Sequence, residues 1–401
     1  MARDKTVLIS GLGIAGPTLA YWLKVGGFEP TLIESAPRLR TGGYVIDLWG
    51  LGYDIAERMG LVGDINQIGY HAQELRIVDG RGDRLAGFGT SVFRELTAGR
   101  YVTLGRSALS RLLFEKIIGR TEVIFDNEIL GLKERKDAVT VQFKHGSDRQ
   151  FDLVIGADGL HSQVRKLMFG PELMFEKRLG YAVAAFEIEG YRPRDENIYL
   201  MYALPGRMLG RFTLHRDRTL ILFVFATDNA VLPDTLAGQK EFLRTRYSDG
   251  KWECPRILDA LDRTQELYFD RVSQIRMPGW SRGRVALVGD AAFCVSLLAG
   301  QGSALAITSA YVLAGELASA VGRHEDAFRQ YERILRSYIE VKQRGAERFA
   351  GAFAPKTQRG LWFRNQVINT FAIPGLAKLT IGRDIIDTLP LPDYRWKLVR
   401  E

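Results

Sequence analysis

The sequence predicts an α/β protein in which a parallel sheet is interrupted by an inserted, mostly antiparallel sheet and is followed by C-terminal helices. Three observations predict this class. Residues 6–34 read as strand, glycine turn, helix and strand, a β–α–β unit whose strands must be parallel. Residues 181–227 read as successive strands separated by turns. A buried strand returns at 285–288, and apolar residues recur at helical spacing from residue 321 onward.

The composition is that of a folded protein. Hydrophobic residues make up 46% of the 401 residues and charged residues 25%, which excludes a mainly disordered chain. Two cysteines are too few for a disulfide framework. Free thiols are typical of proteins in the reducing cytoplasm, where we expect this protein to act. The net charge is +8, but acidic residues are interspersed among the basic ones and no block of like charge forms. We therefore expect no nucleic-acid partner. The unbroken apolar runs are far shorter than the ~20 residues that span a bilayer, so we expect no membrane span.

A glycine-rich turn follows the first strand and opens the first helix. Gly11 allows the tight turn, Gly13 lets the backbone approach a pyrophosphate, and Gly16 lets the helix pack closely on the strand. The first N–H groups of the helix can bind phosphates, and Glu34, at the end of the second strand, can accept a hydrogen bond from a ribose. The pattern predicts a Rossmann-like dinucleotide site formed by Gly11, Gly13, Ile14, Ala15, Gly16 and Glu34. A glycine turn without a ligand is the alternative.

Two further apolar strands each end in a glycine followed closely by an aspartate. Residues 152–159 end in Gly156-Ala157-Asp158-Gly159, and residues 284–292 contain Gly289-Asp290-Ala291-Ala292. Open α/β sheets bind their ligands beyond the carboxyl ends of the strands, which is where both aspartates stand. The five histidines show no metal-ligand spacing, so we expect no metal site.

With these three motifs in this order, the chain resembles the group A FAD-dependent aromatic hydroxylases, the flavoprotein monooxygenases of the para-hydroxybenzoate hydroxylase type. Within this group it is similar to the tetracycline-inactivating flavin monooxygenases, which share the segments around Pro17, around Gly43 and Asp47, and from Gly283 to Ala292. The resemblance implies a Rossmann-like FAD-binding domain of the para-hydroxybenzoate hydroxylase (GR2) type. It also implies NADH or NADPH as a transient electron donor and oxygen transfer through a flavin C4a-hydroperoxide.

The resemblance also implies which residues contact the cofactor. Glu34 would hold the adenosine ribose, Arg106 the FAD backbone, and Asp290 the ribityl chain. Asp158 would serve both FAD and the nicotinamide donor. A helix amino terminus would face the flavin pyrimidine edge, where reduced flavin carries negative charge. Besides the residues of the first turn, the implied cofactor-binding residues are Glu34, Gly43, Arg106, Asp158, Asp290, Gly300, Gln301 and Gly302.

The chain departs from the family at a few positions near these motifs. Phe293 replaces a usual histidine, Ser296 and Leu297 replace usual prolines, and Ser35 replaces a frequent arginine. Because proline fixes φ, its absence predicts a looser flavin-facing loop. These replacements remove no implied FAD contact, and we expect Phe293, Ser296 and Leu297 to affect the stability of the flavin peroxide and the shape of the substrate side of the site.

On this resemblance we expect a discontinuous FAD-binding domain of residues 1–72, 95–177 and 270–320. Residues 73–94 and 178–269 would form the substrate-binding domain, and residues 321–401 a C-terminal helical region. The flavin carries the chemistry, so the sequence identifies no certain catalytic residue. Arg211 and His215 are weak candidates, because with Thr213 they share one face of a predicted strand; an outward polar face is the alternative.

The sequence therefore predicts a cytoplasmic FAD-dependent monooxygenase, monomeric or homodimeric, that consumes NADPH or NADH. Its substrates would be molecular oxygen and a hydrophobic, aromatic or polyketide-like small molecule. Inactivation of tetracyclines is the most specific version of this hypothesis. The alternatives are an FAD-dependent reductase or dehydrogenase, whose product would contain no added oxygen, and a non-catalytic FAD-binding protein.

Overall fold

The computed structural model describes residues 5–40, 43–227, 230–372, 387–394 and 396. The strands in these ranges are β1 Thr6–Ser10, β2 Glu29–Ile33, β3 Val45–Trp49, β4 Glu74–Val78, β5 Arg84–Gly89, β6 Tyr101–Gly105, β7 Glu122–Ile124, β8 Ile129–Glu134, β9 Val139–Phe143, β10 Arg149–Phe151, β11 Leu153–Gly156, β12 Glu176–Glu189, β13 Ile198–Leu204, β14 Arg207–Thr213, β15 Arg218–Ala226, β16 Tyr268–Ile275, β17 Ser281–Arg282 and β18 Val285–Leu287.

The α-helices in the same ranges are α1 Ala15–Val25, α2 Gly50–Arg58, α3 Val62–Ile68, α4 Ser91–Leu96, α5 Arg106–Glu115, α6 Gln163–Met168, α7 Leu236–Tyr247, α8 Cys254–Arg263, α9 Asp290–Phe293, α10 Gly302–Ala320, α11 His324–Phe353 and α12 Gln358–Thr370. Short 3-10 helices cover Glu172–Met174 and Leu297–Ala299.

The first sheet has the strand order β17-β18-β11-β1-β2-β7. All neighbouring strands are parallel except β17 and β18, which are antiparallel. Leu8, Ile155 and Ala286 on its central strands are fully buried, as expected for a parallel sheet covered on both faces. The predicted β–α–β unit is confirmed. Because the strands are parallel, the carboxyl ends of β1, β2, β11 and β18 meet at one edge of the sheet.

The second sheet has the strand order β16-β12-β15-β14-β13-β4-β5. Its neighbours are antiparallel, as predicted, apart from β13 and β4, which pair in parallel with Tyr199 opposite Leu75. A two-stranded ribbon of β3 and β6 pairs Asp47 with Thr103 and Trp49 with Tyr101. A three-stranded sheet has the order β10-β9-β8.

The two faces of the second sheet have different neighbours. One face forms an apolar cluster with α7 and α8 that includes Phe223 and Phe225, both completely buried. The other face packs Met208 and Val224 against Leu298 of the second 3-10 helix. Each such buried side chain contributes about 1.5–3 kcal/mol. The Leu298 side of the sheet therefore faces the segment between α9 and α10, and the opposite side is covered by α7 and α8.

The long apolar helix α10 packs against α1, α2 and α11. Ile307, Tyr311 and Leu313 of this helix are completely buried. By length and composition α10 could cross a membrane, but 72% of its apolar window is buried inside the protein. Such burial is characteristic of the core helix of a soluble protein.

The C-terminal part of the chain packs on α1 and α2. The predicted C-terminal helices are present as α11 and α12. Beyond them, Asp387 accepts a hydrogen bond from the backbone N–H of Leu51 at 2.9 Å, and Trp396 stacks on Trp22 with ring centroids 4.8 Å apart. Residues 373–386, which also belong to the predicted helical region, lie outside the described residues.

Candidate cofactor and substrate site

The first glycine turn has the geometry that its sequence predicts. Gly11 has a φ of +108°, and a side-chain carbon there would lie 2.5 Å from the carbonyl oxygen of Ala157. A side-chain carbon at Gly16 would lie 1.9 Å from the Gly11 carbonyl oxygen. By contrast, a side-chain carbon at Gly13 would meet only the Arg106 guanidinium, at 3.6 Å. Gly11 and Gly16 are thus required by packing, whereas Gly13 borders open space beside the start of α1.

Glu34 lies beside this turn, just beyond β2. Its carboxylate accepts hydrogen bonds from the backbone N–H groups of Leu12 at 2.9 Å and Ala36 at 3.0 Å. Arg40 lies 3.8 Å from the same carboxylate, so a cation is present although Ser35 stands where the family often has arginine. The carboxylate is fixed in place by the turn that it adjoins.

Asp158 follows β11 and lies against the first turn. A side-chain carbon at Gly11 would be 2.8 Å from the Asp158 Cα. The Asp158 carboxylate accepts hydrogen bonds from the Ser162 hydroxyl at 2.5 Å and the Val164 backbone N–H at 3.1 Å. Burial raises the pKa of Asp158, although these hydrogen bonds oppose the shift.

The buried Arg165 links the second motif to the third. Its guanidinium donates hydrogen bonds to the carbonyl oxygen of Ala291 at 3.0 Å and to the Glu172 carboxylate at 2.7 Å. Next to it, His161 contacts Asp270 at 3.1 Å and Glu172 at 3.0 Å. Hydrogen bonds to Asp270 and then Glu172 raise the pKa of His161 to about 10. Hydrogen bonds therefore connect the second motif both to α9 and to β16 of the second sheet.

Asp290 begins α9 directly after Gly289, whose φ is +62°. Burial raises the pKa of Asp290, and the nearby positive charge of Arg106 opposes the shift. A side-chain carbon at Gly289 would lie 3.2 Å from the Cβ of Ala15, so the third motif touches the start of α1. Arg106 thus lies between the first glycine turn and Asp290.

The flavin-facing loop predicted from the sequence precedes α10. Gly300 adopts a left-handed conformation with a φ of +66°, and α10 then begins at Gly302 without a side-chain N-cap hydrogen bond. A side-chain carbon at Gly302 would lie 3.9 Å from Asp290 Oδ1, and one at Gly300 would lie 4.0 Å from the ring of Trp49. The residues Gly300, Gln301 and Gly302 therefore adjoin Asp290.

The departures from the family near this loop have structural explanations. Ser296 has a φ of +141°, which proline cannot adopt because its ring holds φ near −65°. The Ser296 hydroxyl accepts a hydrogen bond from the Leu298 backbone N–H at 3.2 Å. Phe293 is buried and packs on Trp280 with ring centroids 4.6 Å apart. The loop is therefore held by local bonds and packing in place of proline.

The residues of the three motifs suit a bound FAD. The three motifs touch one another, because Gly11 lies against Asp158 and Gly289 lies against Ala15. The turn leaves an open cradle at Gly13, and α1 has neither a side-chain N-cap bond nor an acidic residue in its first turn. Helix starts of this kind bind phosphate. Gly43, with a φ of +109°, precedes Tyr44, whose carbonyl oxygen accepts a hydrogen bond from the Arg106 backbone N–H at 3.0 Å.

An aromatic and apolar surface faces this loop from the second sheet. Side chains on the sheet face that looks toward Leu298 keep partial exposure although they lie deep in the protein, namely Tyr199, Met201, Leu222 and Tyr268. Trp49 and Tyr101 of the β3–β6 ribbon are also partly exposed and pack together with ring centroids 6.3 Å apart. Because these side chains are partly exposed, we infer that they border interior space between the ribbon, the loop and the second sheet.

Arg211 and His215, the weak catalytic candidates, do not reach this interior space. Arg211 is buried on the α7–α8 side of the sheet, where its guanidinium lies 2.7 Å from Asp195 and 3.0 Å from Glu253. His215 lies beyond the end of β14 and stacks on Tyr70 with ring centroids 4.2 Å apart. The suggestion that they bind substrate was wrong, since strand alternation places Arg211 on the far face and His215 is not in the strand.

The sequence analysis assigned no role to Asp47, which is the centre of a buried polar cluster. Its Oδ1 accepts hydrogen bonds from Tyr101 at 2.8 Å, Thr103 at 2.5 Å and Tyr199 at 3.0 Å. Burial raises the pKa of Asp47, and these hydrogen bonds oppose the shift. The available signal was an aspartate in the middle of the otherwise apolar strand Val-Ile-Asp-Leu-Trp.

Comparison with known proteins identifies the family. The FAD binding domain family matches residues 4–340 of the chain. A relative called flavin-dependent monooxygenase, from an unknown prokaryotic organism, is 37% identical over 354 residues, which are 86% of this chain and 89% of the relative. The chain belongs to the FAD-dependent monooxygenases. The predicted family, enzyme class and FAD cofactor are thereby confirmed.

Solved structures show the same fold for this monooxygenase. The tetracycline destructase Tet(55) is 32% identical and superimposes with a TM-score of 0.84 over 98% of this chain and 100% of that chain. The tetracycline destructase Tet(51) is 30% identical, with a TM-score of 0.82 over 97% of this chain and 100% of that chain. The predicted fold class is therefore confirmed.

Proposed function

We propose that this monooxygenase consumes NADPH or NADH and transfers one atom of molecular oxygen to a hydrophobic, aromatic or polyketide-like small molecule. The observation that supports this substrate class is the partly exposed aromatic and apolar face of the second sheet, opposite the loop at Gly300. Apolar pockets with few polar groups select such ligands. The likeness to the tetracycline destructases Tet(51) and Tet(55) supports the same class and makes tetracyclines the first candidates.

In this proposal the three motifs hold FAD along the edge of the first sheet. The backbone at Gly13, Ile14 and Ala15 binds the pyrophosphate at the start of α1. Glu34 accepts a hydrogen bond from the adenosine ribose, and Asp290 accepts one from the ribityl chain. The remaining proposed contacts are Gly11, Gly16, Gly43, Arg106, Asp158, Gly300, Gln301 and Gly302.

The protein around the cofactor would supply position, electrostatics and exclusion of water. Bound FAD would provide the electron transfer from the nicotinamide to oxygen. The amino terminus of α10 would stabilise negative charge at the flavin edge, because its dipole and first N–H groups point there. The second sheet, formed mainly by residues 73–94 and 178–269, would bind the substrate. We further propose that the enzyme works in the cytoplasm as a monomer or homodimer.

The test is oxygen incorporation by the purified yellow protein. NADPH and NADH are supplied in turn with phenols, polyketides and tetracyclines, and nicotinamide oxidation is followed with and without each compound. We expect at least one compound to accelerate oxidation and to gain one oxygen atom, which is isotopically heavy when the reaction is run under oxygen-18 gas. Catalase is added in a parallel reaction, because a product formed only by released hydrogen peroxide must then disappear.

Two other outcomes would contradict the proposal. A product that is reduced or desaturated without gaining oxygen would indicate the reductase or dehydrogenase alternative. A protein that binds FAD but whose nicotinamide oxidation no compound accelerates would indicate the non-catalytic alternative. Oxygenation of other aromatic compounds but not of tetracyclines would remove only the tetracycline candidate.

A further inference from the structure

Asp47 carries an unusual set of hydrogen bonds. The donors within hydrogen-bonding distance of it in the described part of the chain are the hydroxyls of Tyr101, Thr103 and Tyr199, and all three bond to Oδ1. Three hydroxyl donors at 2.5–3.0 Å on a single oxygen fix the orientation of the carboxyl group. The two donors on β6 bond within the ribbon, whereas the donor on β13 joins the ribbon to the second sheet.

The second oxygen, Oδ2, is left without a protein donor in the described ranges. This oxygen is not fully enclosed by other protein atoms, and Asp47 as a whole keeps partial exposure. The oxygen therefore borders the interior space rather than solid packing. An acceptor in such a place loses free energy unless something donates to it.

The position of Asp47 on the ribbon determines where Oδ2 lies. Ile46 and Leu48, which flank Asp47 in β3, are buried in the apolar core that surrounds the first sheet. Because side chains alternate along a strand, Asp47 and Trp49 project from the opposite face, toward Tyr199 and the second sheet. Trp49 in turn lies beside Gly300 of the flavin-facing loop. Asp47 is thus a polar group on an otherwise aromatic and apolar interior surface.

We propose that Asp47 determines substrate specificity by accepting, through Oδ2, a hydrogen bond from a hydroxyl or amino group on the substrate. This inference rests on the proposed function, because it assigns one polar contact within the substrate space proposed above. The three hydroxyl donors would hold the carboxylate in orientation before the substrate arrives. A buried acceptor of this kind favours substrates with a donor and rejects both capped analogues and anions.

The test uses Asp47→Asn, which preserves the shape of the side chain. The amide oxygen can still accept from the three hydroxyls, while its NH₂ group replaces Oδ2 and turns the open acceptor into a donor. The probes are 1-naphthol, 1-methoxynaphthalene and 1-naphthoate, and their affinities for the FAD-loaded enzyme are measured by the change in flavin absorbance. In the wild type we expect 1-naphthol to bind roughly 10- to 100-fold more tightly than either other probe.

In Asp47→Asn we expect that preference to disappear and 1-naphthoate to bind more tightly than in the wild type. Thr103→Val is the matched control, because it removes one donor to Oδ1 and leaves Oδ2 in place; the preference for 1-naphthol should persist. Equal affinities of the wild type for 1-naphthol and 1-methoxynaphthalene would overturn the inference while leaving the proposed function intact.

Cofactor retention separates this role from a flavin contact. We expect Asp47→Asn to retain FAD on dilution as the wild type does. If the variant loses FAD, and keeps the preference for 1-naphthol once reloaded, Asp47 serves the cofactor and the inference is wrong. If the wild type binds none of the three probes and no aromatic compound stimulates nicotinamide oxidation, the proposed function fails together with it.

Discussion

Replacing Gly13 by alanine should separate cofactor binding from folding. A side-chain carbon at Gly13 meets only the Arg106 guanidinium, at an ordinary contact distance of 3.6 Å. At Gly16 the same change would bring that carbon to 1.9 Å from a carbonyl oxygen. We therefore expect Gly13→Ala to fold normally. Its free energy of unfolding should be unchanged or higher by up to about 1 kcal/mol, because alanine restricts the unfolded chain.

Gly13→Ala should also weaken the binding of FAD, because it fills the open space beside Gly13. The added methyl group would occupy the space in which we place the pyrophosphate. Displacing the phosphates from one backbone donor loses a hydrogen bond to a charged group, which contributes about 1.5–3 kcal/mol. The dissociation constant of FAD should then rise roughly 10- to 150-fold.

The assay is titration of the apoprotein with FAD, followed by flavin fluorescence, together with urea unfolding of each apoprotein. Gly63→Ala is the matched control, because Gly63 also borders open space and lies in α3, which contains none of the three motifs. We expect that control to bind FAD like the wild type. If Gly13→Ala also binds FAD with unchanged affinity, the pyrophosphate does not approach this turn and the placement is refuted.

Variants at three further positions test other parts of the structure. The pKa of His161 is raised from 6.5 to about 10, chiefly by its hydrogen bond to Asp270, so its charged form stabilises the fold fully below pH 6.5 and progressively less up to about pH 10. The difference in urea midpoint between wild type and His161→Gln should shrink over that range, and a constant difference would contradict the assignment. Ser296→Gly should raise the free energy of unfolding by about 1 kcal/mol and Ser296→Pro should lower it, because φ is +141°; equal midpoints in urea would show that this backbone is unstrained. Arg211→Met should lower the free energy of unfolding by about 3–5 kcal/mol, because Glu253 loses its cation, and should leave FAD affinity unchanged. If this variant instead binds 1-naphthol more weakly without being destabilised, Arg211 contributes to the substrate site and its assignment to the far face is wrong.

The cofactor edge could be predicted from the sequence because its physics is local. Gly11 and Gly16 are dictated by a turn and a helix that follow directly in the chain. Asp158 and Asp290 each follow an apolar strand, and parallel strands bring their carboxyl ends together. Sequence distance was no obstacle here, since the rule for open α/β sheets supplies the missing geometry.

The substrate side could not be predicted in the same way. The partners of Asp47 lie 54, 56 and 152 positions away in the sequence, and no motif connects them. Strand alternation showed that Arg211 and Thr213 share a face, but the packing of α7 and α8 decides which face is turned from the site. The parallel pairing of β13 with β4 likewise joins segments that are distant in the chain.

The account depends most on the claim that the three motifs hold one FAD molecule against the interior face of the second sheet. The most direct measurement is a crystal structure of the FAD-loaded protein. It should show the adenosine at Glu34, the pyrophosphate at Gly13 and the isoalloxazine between Gly300–Gly302 and the aromatic face containing Tyr199. An isoalloxazine ring bound away from Asp290 and the start of α10 would contradict it.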